Sequence, residues 1–300
     1  MRKFWGESPP DLLVSVVPIY NLALYESLRL ANPPAVCVTI PVDYYEHLAG
    51  YWFWPPTDQY YLLATDRLSE QAREAGISQA YQRRISGHII DPDFYSPPPA
   101  RPREVIAALG LDPSLPTGVV SFGGQGHNIA ASIAQRLSLD NLSINMIFLC
   151  GRNESVIRKI NGLETTYKKL VLGYSAETPV RYLQLADFVI GKPGAMTITE
   201  SLILQKPLIA IKSKSLAPVQ RGHEDWIERH GTGIVIESPV ELASAIKLAL
   251  SSEQYRQNAA REYHRGVFEA AEILCALAEA GRRDTVQLEP ERLWQLELPN

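Results

Sequence analysis

The chain has 300 residues, 46% hydrophobic and 21% charged, with a formal net charge of −4. A chain this apolar and this weakly charged buries enough surface to fold, which excludes intrinsic disorder, and its mild acidity argues against nucleic acid as a partner. No window approaches the ~18 consecutive apolar residues of a bilayer-crossing helix, and the opening MRKFWGESPPD lacks the apolar core of a secretory signal. In chain order, residues 12–17 read as a strand, 22–31 as a helix and 35–40 as a strand rich in β-branched residues. An aromatic loop follows, then a strand at 59–64, a helix at 69–75 and a short strand near 82–86. The segment 91–102 packs four prolines into its last six residues, which disfavours helix and favours an extended linker. Beyond it, strands at 118–122, 145–150, 169–172, 188–190, 207–211 and 233–236 alternate with helices at 129–137, 154–160, 179–185, 198–204 and 222–230. Two helical stretches, 239–251 and 253–280, complete the pattern.

Strands without polar alternation are buried on both faces, and repeated βα units imply doubly wound parallel sheets. The expectation is an α/β protein of two Rossmann-like domains, the first incomplete: residues 1–92, a linker at 93–104, a second domain at 105–281 and a tail at 282–300. The three cysteines, Cys37, Cys150 and Cys275, lie in apolar stretches with no CxxC pair. They read as buried, reduced thiols in a cytoplasmic protein, with no metal site.

The sharpest motif is Ser121-Phe122-Gly123-Gly124-Gln125-Gly126-His127-Asn128, between a buried strand and a helix. Glycines there let backbone N–H groups approach an anion, and the helix start adds about half a positive charge. A nucleotide diphosphate is one reading and a tight βα turn is the other; neither GxGxxG nor GxxxxGK[ST] is present. A second loop, Gly191-Lys192-Pro193-Gly194-Ala195-Met196-Thr197, has the same setting. Glu200 stands three residues after Thr197, so the pair forms either a capping box or a ribose-binding carboxylate beside a phosphate loop. Gly151, Arg152 and Asn153 end a third strand on the same expected edge, where Asn153 also fits a plain N-cap.

The stretches SFGGQGHNI, FLCGRNE, VLGYSAETPVRYLQLADFVIGKPGAMTITESLILQKPLI and APVQRGHEDWIERHGTG together resemble the UDP-sugar-dependent GT-B glycosyltransferases. The similar branch holds monogalactosyldiacylglycerol synthases, processive diacylglycerol glucosyltransferases and MurG, and the likeness spans residues 10–281. It implies that Gly123, Gly124, Gln125 and Gly126 hold the diphosphate, with His127, Gly151, Arg152 and Asn153 also in the donor-binding set. It further implies that Tyr174 and Ser175 grip uracil, that Glu200 binds ribose, and that Lys192, Gly194, Ala195, Met196 and Thr197 line the phosphates. Gln220 falls where the sugar hydroxyls are contacted, and His223 stands where an asparagine is usual. The implied reaction is hexosyl transfer from a UDP-sugar to a lipid-type acceptor such as diacylglycerol, without cofactor or metal, at the inner face of a membrane.

The family's Gly/His-rich loop in the first βα turn has no counterpart here, and no catalytic residue is assigned. Asp43 and His47 lie in the acceptor-facing region, where a general base and a turn residue are the two readings of Asp43. Tyr44, Tyr45, Tyr51, Trp52, Phe53 and Trp54 place six aromatic rings in eleven residues. They suit either lipid contact or burial against the neighbouring domain. The rival reading is a non-catalytic or half-enzyme chain whose first domain is completed by a partner subunit. A sugar-nucleotide epimerase is a third, without a convincing pair of carboxylates in support.

Overall fold

The computed structural model describes residues 2–175, 179–212, 222–262 and 264–283. In chain order the first elements are α1 (Arg2–Glu7), β1 (Leu12–Ser15), α2 (Asn21–Ala31), β2 (Val36–Thr39), β3 (Tyr60–Leu63), α3 (Asp66–Glu74) and β4 (Gln82–Arg84). Next come α4 (Pro102–Ala108), β5 (Thr117–Ser121), α5 (Ile129–Asp140), β6 (Asn145–Leu149), α6 (Glu154–Asn161), β7 (Lys168–Leu172) and α7 (Val180–Gln184). The chain then forms β8 (Phe188–Gly191), α8 (Ala195–Ile203), β9 (Leu208–Ile211), α9 (His223–His230), β10 (Gly233–Ile236), α10 (Leu242–Ser251), α11 (Gln254–Arg261) and α12 (Gly266–Arg283). Two compact units result: residues 1–90 with 263–300, and residues 91–262.

The first unit is built on a parallel sheet in the order β1-β2-β3-β4. Alternate residues of each strand face opposite sides. Cys37 and Leu13 meet Leu28 of α2 on one face, while Val36, Val38, Tyr60 and Leu62 meet Ala270, Ile273 and Leu277 of α12 on the other. Both faces of β2 and β3 are therefore covered, which is why these two strands are buried along their whole length. The second unit carries six parallel strands in the order β7-β6-β5-β8-β9-β10. Its core joins Val120, Met146, Phe148 and Ile190 of the sheet to Ile133 and Leu137 of α5 and Ile246 of α10.

The division into units differs from the sequence expectation of a second domain running from 105 to 281. The stretch 253–280 is two helices, because the backbone leaves helical geometry at Glu262, and the latter helix returns to the first unit. There Glu269 receives both the backbone N–H and the hydroxyl of Ser86, each at 2.6 Å. The proline-rich stretch is also less extended than expected. Asp91 accepts the Asp93 N–H to open a 3-10 turn at Pro92–Tyr95, and Pro102 starts α4, where a missing N–H costs nothing. Helix α1 has no counterpart in the sequence reading; its Trp5 Nε1 donates to Ser27 Oγ of α2 at 2.9 Å. Cys37 and Cys150 are buried, and burial pushes their thiols up to about 12 and about 11. Cys275, against expectation, is exposed on α12. Among the described residues no helix is long and apolar enough to cross a membrane.

Candidate functional site

The strands of the second unit end in register. Gly191 of β8 pairs with Ser121 of β5, Ser121 with Leu149 of β6, and Leu149 with Leu172 of β7. The loops after all four strands consequently emerge along one edge. Strand order reverses between β5 and β8, and the carboxyl edge at such a reversal is where open α/β sheets bind ligands.

The loops after β5 and β6 interlock. Gly123, Gly126 and Gly151 have φ of 82°, 66° and 56°, the left-handed region. A Cβ on Gly126 would lie 2.0 Å from the Cys150 carbonyl oxygen, and one on Gly151 would lie 2.3 Å from that of Gly124. The Gly126 N–H closes a turn onto Gly123 O at 2.9 Å, and the Arg152 N–H donates to Gly124 O at 2.9 Å. The N–H groups of Gly123, Gly124 and Gln125 meet no protein acceptor among the described residues. His127, expected in the donor-binding set, is engaged locally, since its Nδ1 accepts the Ile129 N–H at 3.1 Å just before α5.

At the second loop the capping-box reading of Thr197 and Glu200 fails. Helix α8 starts at Ala195, with Gly194 in extended geometry as its N-cap and no side chain closing it. Thr197 and Glu200 are therefore interior to the helix. The first-turn N–H groups of Ala195, Met196 and Thr197 have no partner within a helix by its geometry. The turn itself is held by Gly194 N–H to Lys192 O at 2.8 Å. Met196 and Glu200, four residues apart, share the one half-accessible face of a helix otherwise packed by Thr197, Ile198, Thr199, Ser201 and Leu202. Burial pushes the Glu200 carboxyl up to about 7, and among the described residues no cation pairs with it. By contrast α6 caps itself, since Asn153 accepts the Val156 N–H at 3.2 Å; the plain N-cap reading of Asn153 holds.

The exposed ring of Tyr174, after β7, flanks Gly124 and carries the Arg152 guanidinium 3.7 Å from its centroid. Ser175 follows it. Gln220 lies outside the described residues. His223, fully buried at the start of α9, bonds the Pro193 carbonyl through Nδ1 at 3.0 Å, which ties α9 to the Lys192–Gly194 turn.

In the first unit the aromatic loop turns inward. Trp52 and Phe53 join Tyr61, Leu63 and Leu68 in that unit's own core, and Tyr44 is buried against His88. Asp43 receives Trp52 Nε1 at 3.0 Å, and desolvation raises its carboxyl above the ordinary range. His47 stacks edge-on with Tyr45. The residue that organises this loop, absent from the sequence reading, is Glu46. One carboxylate oxygen of Glu46 accepts the N–H groups of Tyr51, Trp52 and Phe53 at 2.8, 2.6 and 3.1 Å. The side chain of Gln71 brackets its backbone at 2.7 and 2.6 Å. Only the adjacent run of rings hinted at such an anchor.

A family model described as the glycosyltransferase family 28 C-terminal domain matches residues 119–273. Monogalactosyldiacylglycerol synthase 1, chloroplastic, of Arabidopsis thaliana is 26% identical over 247 residues, 79% of this chain and 45% of that protein. Processive diacylglycerol beta-glucosyltransferase of Bacillus subtilis (strain 168) is 24% identical over 251 residues, 82% of this chain and 62% of that protein. The chain thus spans about half to three-fifths of the length of these relatives. The crystal structure of Acinetobacter baumannii MurG superposes with a TM-score of 0.61 at 11% identity, over 91% of this chain and 76% of that one, a likeness of fold. The fold is the GT-B arrangement of two Rossmann-like units, and the matched segment holds every described candidate donor residue. The chain belongs to glycosyltransferase family 28, whose C-terminal domain it carries.

Proposed function

We propose that the second unit binds a UDP-sugar at the carboxyl edge between β5 and β8, for hexosyl transfer to a lipid-type acceptor such as diacylglycerol. The observation that carries this reading is the paired set of uncapped amides on either side of the strand-order reversal, with Glu200 inside α8. A diphosphate needs donors that no side chain already occupies, and the Gly123–Gln125 turn and the first turn of α8 offer them at adjacent strand ends. Lys192 adds a full counter-charge. As the glycosidic bond to the donor breaks, charge accumulates on the leaving UDP, and fixed amide dipoles stabilise it without reorganising. The Glu200 carboxylate suits two vicinal ribose hydroxyls, and the Tyr174 ring with its stacked Arg152 suits the flat base. Both named relatives work on diacylglycerol, which supports the acceptor class and a peripheral position at a membrane face.

Titration calorimetry with UDP and UDP-hexoses tests the donor site. Binding is expected at micromolar to sub-millimolar ligand, and Glu200→Ala is expected to weaken it about tenfold, or ~1.4 kcal/mol, with an unchanged circular dichroism spectrum. Absence of heat with folded protein at about 1 mM UDP would overturn the reading.

A further inference from the structure

His223 opens α9 and is wholly buried, so its ring offers no surface to a ligand. Its Nδ1 stands 3.0 Å from the Pro193 carbonyl oxygen. A carbonyl oxygen only accepts, so Nδ1 carries the hydrogen and donates it. Pro193 is itself buried, and a buried carbonyl needs such a donor.

The bond acts on one planar peptide group. His223 holds the Pro193 carbonyl, while the Gly194 N–H of the same plane donates to Lys192 O at 2.8 Å. With both ends held, the plane has one orientation. Gly194 is the N-cap of α8, extended at ψ 147°, and its own carbonyl takes the Ile198 N–H at 3.0 Å. The direction in which the amides of Ala195, Met196 and Thr197 set out therefore follows from that plane. So does the path of Lys192, whose stem runs so near that a Cβ on Gly194 would stand 3.1 Å from Lys192 Cε.

The other sides of the turn have no slack. A Cβ on Gly191 would lie 2.8 Å from Ser121 O of β5 and 3.0 Å from Thr197 Cγ2. Helix α9 is a firm post for His223, because its far end is tied to the end of α11. There Asn258 Nδ2 donates to Gly231 O at 2.9 Å, and His230 Nδ1 lies 2.8 Å from Glu262 Oε1.

We propose that His223 is a positioning residue for the donor diphosphate. Through the Pro193–Gly194 peptide it aims Lys192 and the first turn of α8, and it does not itself contact the sugar. This rests on the donor reading above and names the residue that orients its phosphate-facing half. A histidine that merely filled the core would cost stability when replaced, with no selective loss of affinity for phosphate.

The test sets His223→Asn, His223→Gln and His223→Leu against UDP and uridine, by calorimetry and ligand-observed NMR with folded protein. Asn carries its amide nitrogen at the Nδ1 position and Gln at the Nε2 position, so of these His223→Asn alone keeps a donor on Pro193. UDP affinity is expected to fall about tenfold in His223→Gln and His223→Leu, and to stay within about threefold of wild type in His223→Asn. Uridine, with no phosphate to meet the turn, is expected to bind wild type and variants alike. Where His223→Leu fails to fold, the Asn and Gln variants, both polar, decide. Equal UDP binding by His223→Asn and His223→Gln overturns this proposal alone, as does uridine affinity that falls in step with that for UDP. A wild-type protein that binds neither probe overturns the donor reading, and this proposal with it.

Discussion

The two sheets of this protein use the same grammar to different ends. The β7-β6-β5-β8-β9-β10 sheet reverses its strand order in its middle, and the turn after β5, beside the reversal, carries amides that meet no protein acceptor among the described residues. The β1-β2-β3-β4 sheet advances one way only, with no reversal of strand order among its described strands. Glu46 shows the contrast well. In the first unit a buried carboxylate accepts three loop amides, while in the second the Gly123, Gly124 and Gln125 amides meet no protein acceptor among the described residues. The lesson is that a parallel sheet acquires a binding edge from strand order, whereas a monotonic sheet spends its loop donors on its own core.

The contrast can be broken from either side. The largest effect is expected from deleting residues 264–300, which removes Ala270, Ile273 and Leu277 from the first sheet's α12 face. The first unit should lose its cooperative transition while the second keeps both its transition and UDP binding, as read by calorimetry; joint loss would show the units to be inseparable. The converse is Gly126→Ala, which forces a Cβ toward the Cys150 carbonyl at positive φ. It should cost the second unit about 2–4 kcal/mol and its UDP binding, and leave the first unit's denaturant midpoint in place.

A smaller effect is tied to pH. The Glu200 carboxyl is raised from 4.5 to about 7 by burial, so the folded state holds its proton more tightly than the unfolded chain does. Its stabilising contribution is complete below pH 4.5 and is lost as pH rises through about 7. The fall should amount to about 1–3 kcal/mol and should be absent in Glu200→Gln, as read from urea midpoints across that window. If the ionised carboxylate is what holds ribose, UDP binding near pH 6 should also release a proton, measurable by calorimetry in buffers of different ionisation enthalpy. The smallest effect is expected from Arg152→Ala. Removing an exposed cation from the Tyr174 ring should weaken UDP binding about threefold, or ~0.5–1 kcal/mol, without altering stability.

Much of this was legible in the residues themselves. The apolar runs at Val36–Thr39 and Phe188–Gly191, the glycines after β5 and the start of α9 at His223 all follow from local pattern. The misreadings share a cause. Thr197 and Glu200 satisfy the spacing of a capping box, yet a helix begins where backbone dihedrals permit, and Gly194 starts it three residues earlier. Burial was one of the two readings of the six aromatic rings, but its place in the first unit's own core and its anchoring by Glu46 and the distant Gln71 follow only from the fold. A helical stretch over 253–280 was readable, but not its break at Glu262 into α11 and α12.

The return of α12 to the first sheet has a consequence for biogenesis. Residues 91–262 are an insertion within the first unit, so the second unit is fully synthesised while the first still waits for the helix that covers half of its sheet. Emerging from the ribosome, the downstream unit should therefore mature first. Until the final helix arrives, the apolar side formed by Val36, Val38, Tyr60 and Leu62 is the surface that chaperones would have to shield.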